Sequence, residues 1–313
     1  MKIAYLVLAH TNPRLLARTI QRLSSEDVRF YIHVDRKADQ SLFESIRGEN
    51  VLFCESRVRV YWGDFSQVEA ILVLLRTAMG NWDPDYCVLI SGSDYPLRSG
   101  RYIQRFLEEN TGSEFINLIK VPAPGKPLSR VNTLRSRRSK PLLHFLTRML
   151  AKFSLMGRDY RKHLSGMEPY SGSTWWALSS AACAYVLNFV QVNDRFVRFF
   201  ESMFASDEAF FHTILGNSYL RSRVRRNLHF EDWSEGGSHP ATIGIQHLRY
   251  FNNRDGKAWV EDVVGGGEVL FARKFSEDDP QLLQQIDQTA DPYRDLRNSA
   301  CLKSSSGDAQ CSL

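Results

Sequence analysis

Short apolar segments of strand length alternate with amphipathic helical patterns through the first part of the chain, and this alternation restricts the fold more than any other feature. Ile3–Ala9, 30–34 and Tyr86–Ser91 are nearly continuous apolar runs, which is typical of strands buried on both faces. Between them, Pro13–Leu23 and 65–79 carry apolar residues at helical spacing. Strands that alternate with helices form parallel, doubly wound sheets. The sequence therefore predicts an α/β fold with a mostly parallel sheet flanked by helices.

Weaker patterns predict the remaining elements. The predicted helices lie at 42–46, 102–107, 142–155 and 180–190, and a further helix starts at Ser206. The predicted strands lie at 51–53, 58–61, 115–119 and 228–233, and residues 268–275 close the folded part of the chain. The Ser-rich tail beyond about residue 298 is predicted to be disordered.

Polar residues follow the three strongest predicted strands. His10 and Asp35 come directly after the first two, and Asp94 follows the third. Ligands of parallel α/β sheets bind beyond the carboxyl ends of the strands. A ligand crevice is therefore expected at this edge of the sheet.

The charge of the chain is mildly basic and concentrated in one segment. The 313 residues carry a formal net charge of +5, which suits an anionic small molecule, a membrane surface or nucleic acid. The segment 120–162 is rich in Lys and Arg, with Asp159 as its one acid. It has few interleaved aromatic residues, which disfavours a nucleic-acid-binding module. Its simplest interpretation is a surface that faces anionic lipid headgroups.

An apolar stripe in the same segment leaves two alternatives open. The stripe could form a shallow membrane-facing surface, or it could pack on the domain core, which is the commoner fate of such a stripe. Its members are Leu142, Leu143, Phe145, Leu146 and Leu150.

The cysteines and the apolar runs bear on the compartment. There are five cysteines without a CxxC spacing, which indicates buried thiols at Cys87 and Cys183, with neither a disulfide framework nor a zinc site. The first apolar run is too short for a signal peptide, and no run approaches the ~20 residues of a membrane span. We expect a cytoplasmic protein, in peripheral contact with the inner face of the membrane.

Ser206-Asp207-Glu208 precedes an apolar, helix-like run and has two interpretations. Ser206 could cap a helix whose first turn holds the two carboxylates, where the helix dipole favours negative charge. Alternatively, a carboxylate is held against aromatic walls, which would raise its pKa and suit it to general-base catalysis.

Other candidates are individually weak. His33 lies within a strand and is expected to be a core histidine with satisfied hydrogen bonds. Trp175-Trp176 could simply be core, or alternation would bury one ring and expose the other, and an exposed ring beside a cleft suits the apolar face of a sugar. Arg273-Lys274 is either a solvated pair or a diphosphate-binding pair. Asp94 has no paired carboxylate, which makes it a poor Mg²⁺ or Mn²⁺ ligand, and no metal or cofactor is expected.

Taken in order, seven motifs resemble those of the core-2/I-branching β-1,6-N-acetylglucosaminyltransferases, and protein O-xylosyltransferases share the set. The resemblance covers roughly residues 1–276. The motifs are Tyr5-Leu-Val-Leu-Ala-His10, Tyr31-Ile-His-Val-Asp-Arg-Lys-Ala-Asp39, Trp62-Gly-Asp-Phe-Ser-Gln-Val-Glu-Ala70, Tyr86-Cys-Val-Leu-Ile-Ser-Gly-Ser-Asp-Tyr-Pro-Leu97, Gly172-Ser-Thr-Trp-Trp-Ala-Leu178, Ser206-Asp-Glu208 and Leu270-Phe-Ala-Arg-Lys-Phe275.

The resemblance implies a GT-A-like fold that transfers a sugar from a UDP-sugar donor to a glycan acceptor, with inversion and without a metal. It places the catalytic base at Glu208, although Ala205-Ser206 replaces the family's usual Ser-Pro. It places Lys274 at the diphosphate, with Arg249 as its best-matching partner and His239 and Arg273 as rivals. The remaining donor candidates are Leu8, Ala9, His10, Asp35, Arg36, Lys37, Trp62 and Asp94, and the acceptor candidates are Trp175, His229, Asp232 and Trp233.

These implications give an expected organisation and function. Residues 1–119 would form a nucleotide-sugar-binding half, 120–276 an acceptor and catalytic half, and 277–313 a C-terminal helix and disordered tail. The expected sugar is GlcNAc in a β linkage, with xylose from UDP-xylose as the alternative. Retention of Glu208 and Lys274 argues against a catalytically inactive sugar-binding relative.

Overall fold

The computed structural model describes residues 1–138, 141–152, 157–237 and 239–288, and in this part of the chain a seven-stranded sheet is the largest element. Its strand order is β10-β6-β9-β4-β1-β2-β3, and a smaller sheet has the order β11-β14-β5. The strands are β1 (Ile3–Ala9), β2 (Val28–Val34), β3 (Val51–Phe53), β4 (Tyr86–Ser91), β5 (Asp94–Pro96), β6 (Glu114–Phe115), β7 (Ile119–Lys120), β8 (Tyr170–Ser171), β9 (Ala177–Ser179), β10 (Val224–Arg225), β11 (His229–Glu231), β12 (Trp259–Asp262), β13 (Gly265–Glu268) and β14 (Phe271–Arg273).

Helices cover the sheet. The α-helices are α1 (Pro13–Leu23), α2 (Ser66–Asn81), α3 (Gly100–Glu109), α4 (Ser129–Asn132), α5 (Pro141–Lys152), α6 (Arg161–Leu164), α7 (Ser180–Val192), α8 (Asp194–Glu201), α9 (Phe210–Gly216) and α10 (Pro280–Asp287). Short 3₁₀ helices occupy Gln40–Phe43, Ser206–Glu208, Tyr219–Arg223 and Ile245–Tyr250. The expected fold class, a mostly parallel α/β sheet flanked by helices, is confirmed.

The centre of the large sheet has the expected parallel pairing. β1 lies between β2 and β4, and their registers pair Ala9 with Val34 and Leu8 with Ser91. All three strands are almost wholly buried, because helices cover both faces. Their carboxyl ends therefore meet at one edge, which is where a ligand crevice was expected.

The small sheet brings distant parts of the sequence together at this edge. β14 pairs with β5 in antiparallel register, so that Arg273 lies opposite Asp94. On its other side β14 pairs with β11 in parallel, which places Glu231 beside Arg273.

Several predicted elements differ from the structure. Residues 58–61 do not form a strand, because the amide N–H groups of Val58 and Val60 donate to the side chains of His33 and Asp35 instead of to a neighbouring strand. The predicted strand at 115–119 is split between β6 and β7. Residues 153–155 of the helix predicted at 142–155, and the predicted disordered tail, lie outside the described residues.

Both tryptophans are core residues, and the alternation that would have exposed one of the two rings is wrong. Trp175 and Trp176 are both buried, at 4% and 0% exposed. Trp176 packs on Phe211 of α9, with 5.6 Å between ring centroids, while Trp175 lies under the guanidinium of Arg273 at 3.9 Å. Phe211 of α9 covers Trp176 and Arg273 of β14 covers Trp175, and both of these residues come from elements that follow residue 180.

Candidate active site

A cavity of about 750 Å³ lies at the carboxyl ends of β1, β2 and β4. It is lined by residues from both the N-terminal and the C-terminal half of the chain. Its polar and aromatic wall includes His10, Asp35, Lys37, Trp62, Lys126, Thr174, Trp175, Asp207, Glu208, Arg226, His229, Glu231, Trp233, His239, Arg273 and Lys274. The volume is sufficient for a ligand of nucleotide-sugar size.

The Asp35 carboxylate is fixed at one end of the cavity by the loop that follows β2. Its Oδ1 accepts hydrogen bonds from the backbone N–H of Lys37 at 2.9 Å and of Val60 at 3.3 Å. Its Oδ2 lies 3.5 Å from the Lys37 ammonium. His33 lies beneath this loop and is buried, with its Nε2 accepting from Val58 N–H at 2.8 Å, as expected for a satisfied core histidine.

The Arg273 guanidinium is held from three sides. Its Nε lies 3.0 Å from Oδ1 of buried Asp94, and its Nη1 lies 3.7 Å from Glu231 Oε1. Its plane lies over the Trp175 ring. Asp94 also accepts from the Ser91 backbone N–H and hydroxyl at 2.8 and 2.6 Å. This carboxylate is thus fully engaged in positioning Arg273.

Lys274 differs from the other basic residues of the cavity. Among the lysines and arginines that line its described wall, Lys37, Lys126, Arg226 and Arg273 each lie against a carboxylate, whereas the Lys274 ammonium has no direct ion-pair partner. Burial and the neighbouring Arg273 charge lower the pKa of Lys274. An anionic ligand group would relieve both effects.

Glu208 also lines the cavity and is held there by backbone and side-chain contacts. Its carbonyl accepts from Gly172 N–H at 2.8 Å, and a Cβ at Gly172 would come within 2.3 Å of the Asn117 carbonyl. Lys126 Nζ and Arg130 Nη1 lie 2.6 and 2.8 Å from the same carboxylate oxygen, Oε2. Burial alone would raise the pKa of Glu208, but these two cations outweigh burial and lower it.

The expected raised pKa belongs to the neighbouring carboxyl group. Asp207 is buried and accepts from the Thr174 hydroxyl at 2.8 Å, while its Oδ1 has no hydrogen-bond partner. Burial, together with the adjacent Glu208 charge, raises the pKa of Asp207 to about 6. The pKa values of the two adjacent carboxyl groups are therefore shifted in opposite directions, because only Glu208 forms ion pairs with Lys126 and Arg130.

The helix-cap interpretation of Ser206 is wrong. Ser206–Glu208 forms a 3₁₀ turn preceded by Ala205, whose φ of 51° is in the left-handed region, and α9 begins only at Phe210. The Ser206 hydroxyl is buried without a hydrogen-bond partner. The turn therefore directs Glu208 toward the cavity and does not start a regular helix.

Asp207→Asn is expected to change how stability depends on pH. The folded-state pKa of Asp207 is about 6, above its ordinary value of 3.8. Neutral Asp207 therefore contributes to the free energy of unfolding below pH ~4, and this contribution is lost as pH rises through 6. Relative to wild type, the variant should gain about 1–3 kcal/mol in free energy of unfolding between pH 5 and pH 7.5. Urea unfolding at the two pH values measures this gain.

Glu208→Gln provides the opposite control. Because its folded-state pKa is lowered, Glu208 contributes stability above its unfolded pKa and loses it as pH falls through the folded one. The glutamine variant should therefore lose stability at neutral pH. An Asp207→Asn variant with the pH dependence of wild type would show that Asp207 is not a buried neutral acid.

The structure brings most of the predicted site residues to the cavity and leaves four away from its wall. Those at the wall are Leu8, Ala9, His10, Asp35, Lys37, Trp62, Trp175, His229, Trp233, Glu208, Arg273 and Lys274. Arg36 and Arg249 are exposed elsewhere, and Arg249 donates to the Tyr250 hydroxyl at 2.9 Å. Asp94 lies beneath Arg273, and Asp232 pairs with His247 at 2.9 Å. Of the three suggested partners of Lys274, Arg273 and His239 lie at the cavity and Arg249 does not.

Sequence reasoning did not single out Lys126, Arg130 and Asp207 as site residues. Lys126 and Arg130 appeared only as members of a basic segment, since their partner Glu208 is 82 and 78 residues away in sequence. Asp207 was noted in its motif, but nothing local shows which of the two adjacent carboxyl groups reaches the cations.

Several cations of the basic segment are engaged within the protein. Arg137 forms a bidentate pair with Glu69, at 2.8 and 2.5 Å, and the Arg158 guanidinium donates to the Phe199 carbonyl. Arg138 lies over the Trp62 ring at 5.6 Å. The apolar stripe, in contrast, is not packed on the core, with Leu142 74% and Phe145 59% exposed.

No cluster of three or more His, Cys, Asp or Glu side chains in the described ranges is arranged to hold a metal ion. Within those same ranges, no helix has the length and hydrophobicity needed to cross a membrane.

Comparison with known proteins identifies one family. The family model described as Core-2/I-Branching enzyme matches residues 3–252. Human xylosyltransferase 2 is 26% identical over 246 residues, covering 75% of this chain and 27% of that protein. Human xylosyltransferase 1 is 26% identical over 243 residues, covering 75% and 24%. The match thus spans about a quarter of these relatives.

Solved structures show weaker similarity. The galactosyltransferase LgtC, in complex with donor and acceptor sugar analogs, has a TM-score of 0.40 at 9% identity and covers 87% of this chain and 86% of its own. Mouse xyloside xylosyltransferase 1 has a TM-score of 0.36 at 10% identity, with coverages of 86% and 97%. TM-scores at this level do not establish a shared fold, so the family assignment depends on the sequence match.

Proposed function

Because the chain belongs to the Core-2/I-Branching enzyme family, we propose that it is an inverting, metal-independent glycosyltransferase acting on a UDP-sugar and a glycan hydroxyl. The observation that carries the proposal is the presence of two unlike groups in the wall of one cavity. The described part of this wall presents the Lys274 ammonium, which has no direct ion-pair partner there, beside Arg273, and it also presents the Glu208 carboxylate.

Lys274 and Arg273 would bind the diphosphate. The leaving nucleoside diphosphate gains negative charge as the sugar–oxygen bond breaks, and preorganised cations in a partly buried site stabilise that charge. Arg273 is held by Asp94, Glu231 and Trp175, so little reorganisation is needed when the donor binds. Asp35 would hold the ribose, since its carboxylate is oriented by the loop after β2.

Glu208 would act as the general base. It takes the proton of the acceptor hydroxyl, whose oxygen forms the new bond to the anomeric carbon on the face opposite the diphosphate. The bond from the anomeric carbon to the diphosphate oxygen breaks, and the electron pair leaves with UDP. General-base assistance of this kind is worth ~10²–10⁴ in rate.

Two sugars are candidates for transfer. GlcNAc is proposed from the resemblance to the β-1,6-N-acetylglucosaminyltransferases, and xylose is the alternative because the curated relatives are named xylosyltransferases. The test is UDP release from UDP-GlcNAc, UDP-xylose, UDP-GalNAc, UDP-glucose and UDP-galactose, with glycan acceptors. Release from UDP-GlcNAc or UDP-xylose supports the proposal, and a folded protein that binds none of the five donors overturns it.

Transfer is expected to survive removal of divalent cations. The carboxylate of Asp94 is occupied by Ser91 and Arg273, and the two adjacent cations Arg273 and Lys274 would do the electrostatic work of a metal. Activity in excess EDTA should equal activity with Mn²⁺ to within about twofold. Loss in EDTA with recovery in Mn²⁺ would show instead that a metal serves the diphosphate.

We also propose a peripheral contact of α5 with an anionic membrane at the inner face of a cytoplasmic membrane. Besides Leu142 and Phe145, the exposed side chains include Leu143, Leu146 and Leu150 at 48%, 47% and 41%. The helix contains no acidic residue, which suits a negative lipid surface.

Replacing Leu142, Phe145 and Leu146 together by serine should lower binding to phosphatidylglycerol vesicles at least ~10-fold, because buried apolar area at the interface is lost. Vesicle co-sedimentation measures the change. Val192→Ser, which removes a 70% exposed apolar side chain at the end of α7, is the matched control. Equal binding by the triple variant and the control would remove α5 from any membrane contact.

A further inference from the structure

The environment of Glu208 carries more positive charge than the carboxylate can balance. Lys126 and Arg130 both lie on its Oε2, which leaves the three side chains with one formal positive charge in excess. Among the other carboxylates of the described wall, Asp35 lies against Lys37, Glu231 lies near Arg273 and Asp262 lies against Arg226, while buried Asp207 accepts from the Thr174 hydroxyl, so that none of them forms an ion pair with Lys126 or Arg130. The excess charge next to the base is therefore available to a ligand.

Two short elements position the cations on one Glu208 oxygen. The backbone of Lys126 pairs with Ala123 in a tight turn, and α4 carries Arg130. The Lys126, Arg130 and Glu208 side chains are 19%, 29% and 29% exposed, so that none is sealed in the core. Lys126 and Glu208 line the cavity, and Arg130 lies on the same Glu208 oxygen as Lys126, so a ligand group that takes the place of this oxygen meets both cations.

The same contacts make the base ineffective without a ligand. A carboxylate paired with two cations is a weak proton acceptor, since a general base works best when its pKa is near the operating pH. A neutral acceptor would have to displace these contacts without replacing them, which leaves buried charges uncompensated. An acceptor with its own anion replaces them.

We propose that Lys126 and Arg130 bind an anionic group of the acceptor, a carboxylate or a phosphate close to the reacting hydroxyl, and that this binding releases Glu208. The inference rests on the proposed function and gives its acceptor a chemical class, an acidic glycan. Once the cations engage the ligand, burial is the main influence left on Glu208 and raises its proton affinity. The other titratable groups at Glu208 are His212 and Asp207, and burial followed by the Glu208 charge raises the pKa of Asp207.

The experiment compares acceptors that differ only in their acid. Methyl β-glucuronide and methyl β-glucoside 6-phosphate are each paired with methyl β-glucoside, and the galacto series is treated likewise, so that carboxylate and phosphate are tested separately. In at least one pair, wild type should favour the acidic partner ~10- to 100-fold in kcat/KM. Lys126→Gln and Arg130→Gln should lose this preference, while Lys120→Gln, which removes an exposed cation paired with Glu168, should keep it.

Direct binding separates this inference from the proposed function. Dissociation constants for the same sugars, measured by ligand-observed NMR with UDP present, need no turnover and remain decisive even if no UDP-sugar is consumed. Glu208→Gln should bind the acidic sugars several-fold more tightly than wild type and the neutral ones equally, because it removes the competitor for both cations. A merely structural role of Lys126 and Arg130 would not produce this gain. Equal affinity for acidic and neutral partners in every pair, or a preference that survives both cation substitutions, overturns the inference.

Discussion

Glu208→Gln is expected to reduce transfer ~10²–10⁴-fold while leaving the affinity for UDP within about twofold of wild type. Glutamine keeps the size of the side chain but cannot accept the acceptor proton. Because the diphosphate cations Arg273 and Lys274 keep their own contacts, donor binding does not depend on the substituted carboxylate. The measurements are initial rates at saturating donor and acceptor and UDP affinity by calorimetry.

Asp207→Asn is the comparison that assigns the base. The two carboxyl groups are adjacent in sequence, but Asp207 is buried and bonded to Thr174, while Glu208 reaches the cavity. We expect Asp207→Asn to retain far more activity than Glu208→Gln. The reverse order of activities would identify Asp207 as the base. Near-normal transfer by both folded variants would show that neither carboxyl group acts as the base.

Lys274→Ala should weaken UDP binding ~10- to 100-fold and uridine binding little, because a charge-assisted contact to phosphate is worth about 1.5–3 kcal/mol. The Lys274 ammonium has no direct ion pair in the described cavity wall, so its removal leaves no carboxylate unpaired. Calorimetric titration with UDP and with uridine gives the two affinities.

Arg249→Ala is the matched control for this pair of titrations. Its guanidinium is exposed and contacts Tyr250 away from the cavity, so its loss should change neither affinity by more than about twofold. Equal losses of UDP and uridine affinity in Lys274→Ala would show that Lys274 does not contact the diphosphate. A large loss of UDP affinity in Arg249→Ala would instead support Arg249 as the partner of Lys274 at the diphosphate, as the sequence resemblance implied.

Local sequence pattern was sufficient for the centre of the fold. The apolar runs of β1, β2 and β4 form strands of a sheet that is buried on both faces, which removes adjacent apolar side chains from water on both sides. Parallel pairing then brings their carboxyl ends together, which is why His10 and Asp35 could be placed at a ligand crevice from sequence alone. The matched family confirms the resemblance drawn from motifs in the same order.

The partners of the charged side chains could not be predicted from local sequence pattern. Whether a lysine or arginine faces solvent, lipid or a carboxylate depends on contacts between residues far apart in sequence, and Arg137 with Glu69 and Lys126 with Glu208 are such contacts. The roles of Asp207 and Glu208 were likewise inseparable in sequence, because a pKa follows burial and neighbouring charge and not residue type. The sequence by itself determined the sheet, the edge at which a ligand would bind and the residue types of the chemistry. Only the tertiary structure decided which cations are paired, because long-range packing sets both the distance between charges and the solvent that screens them.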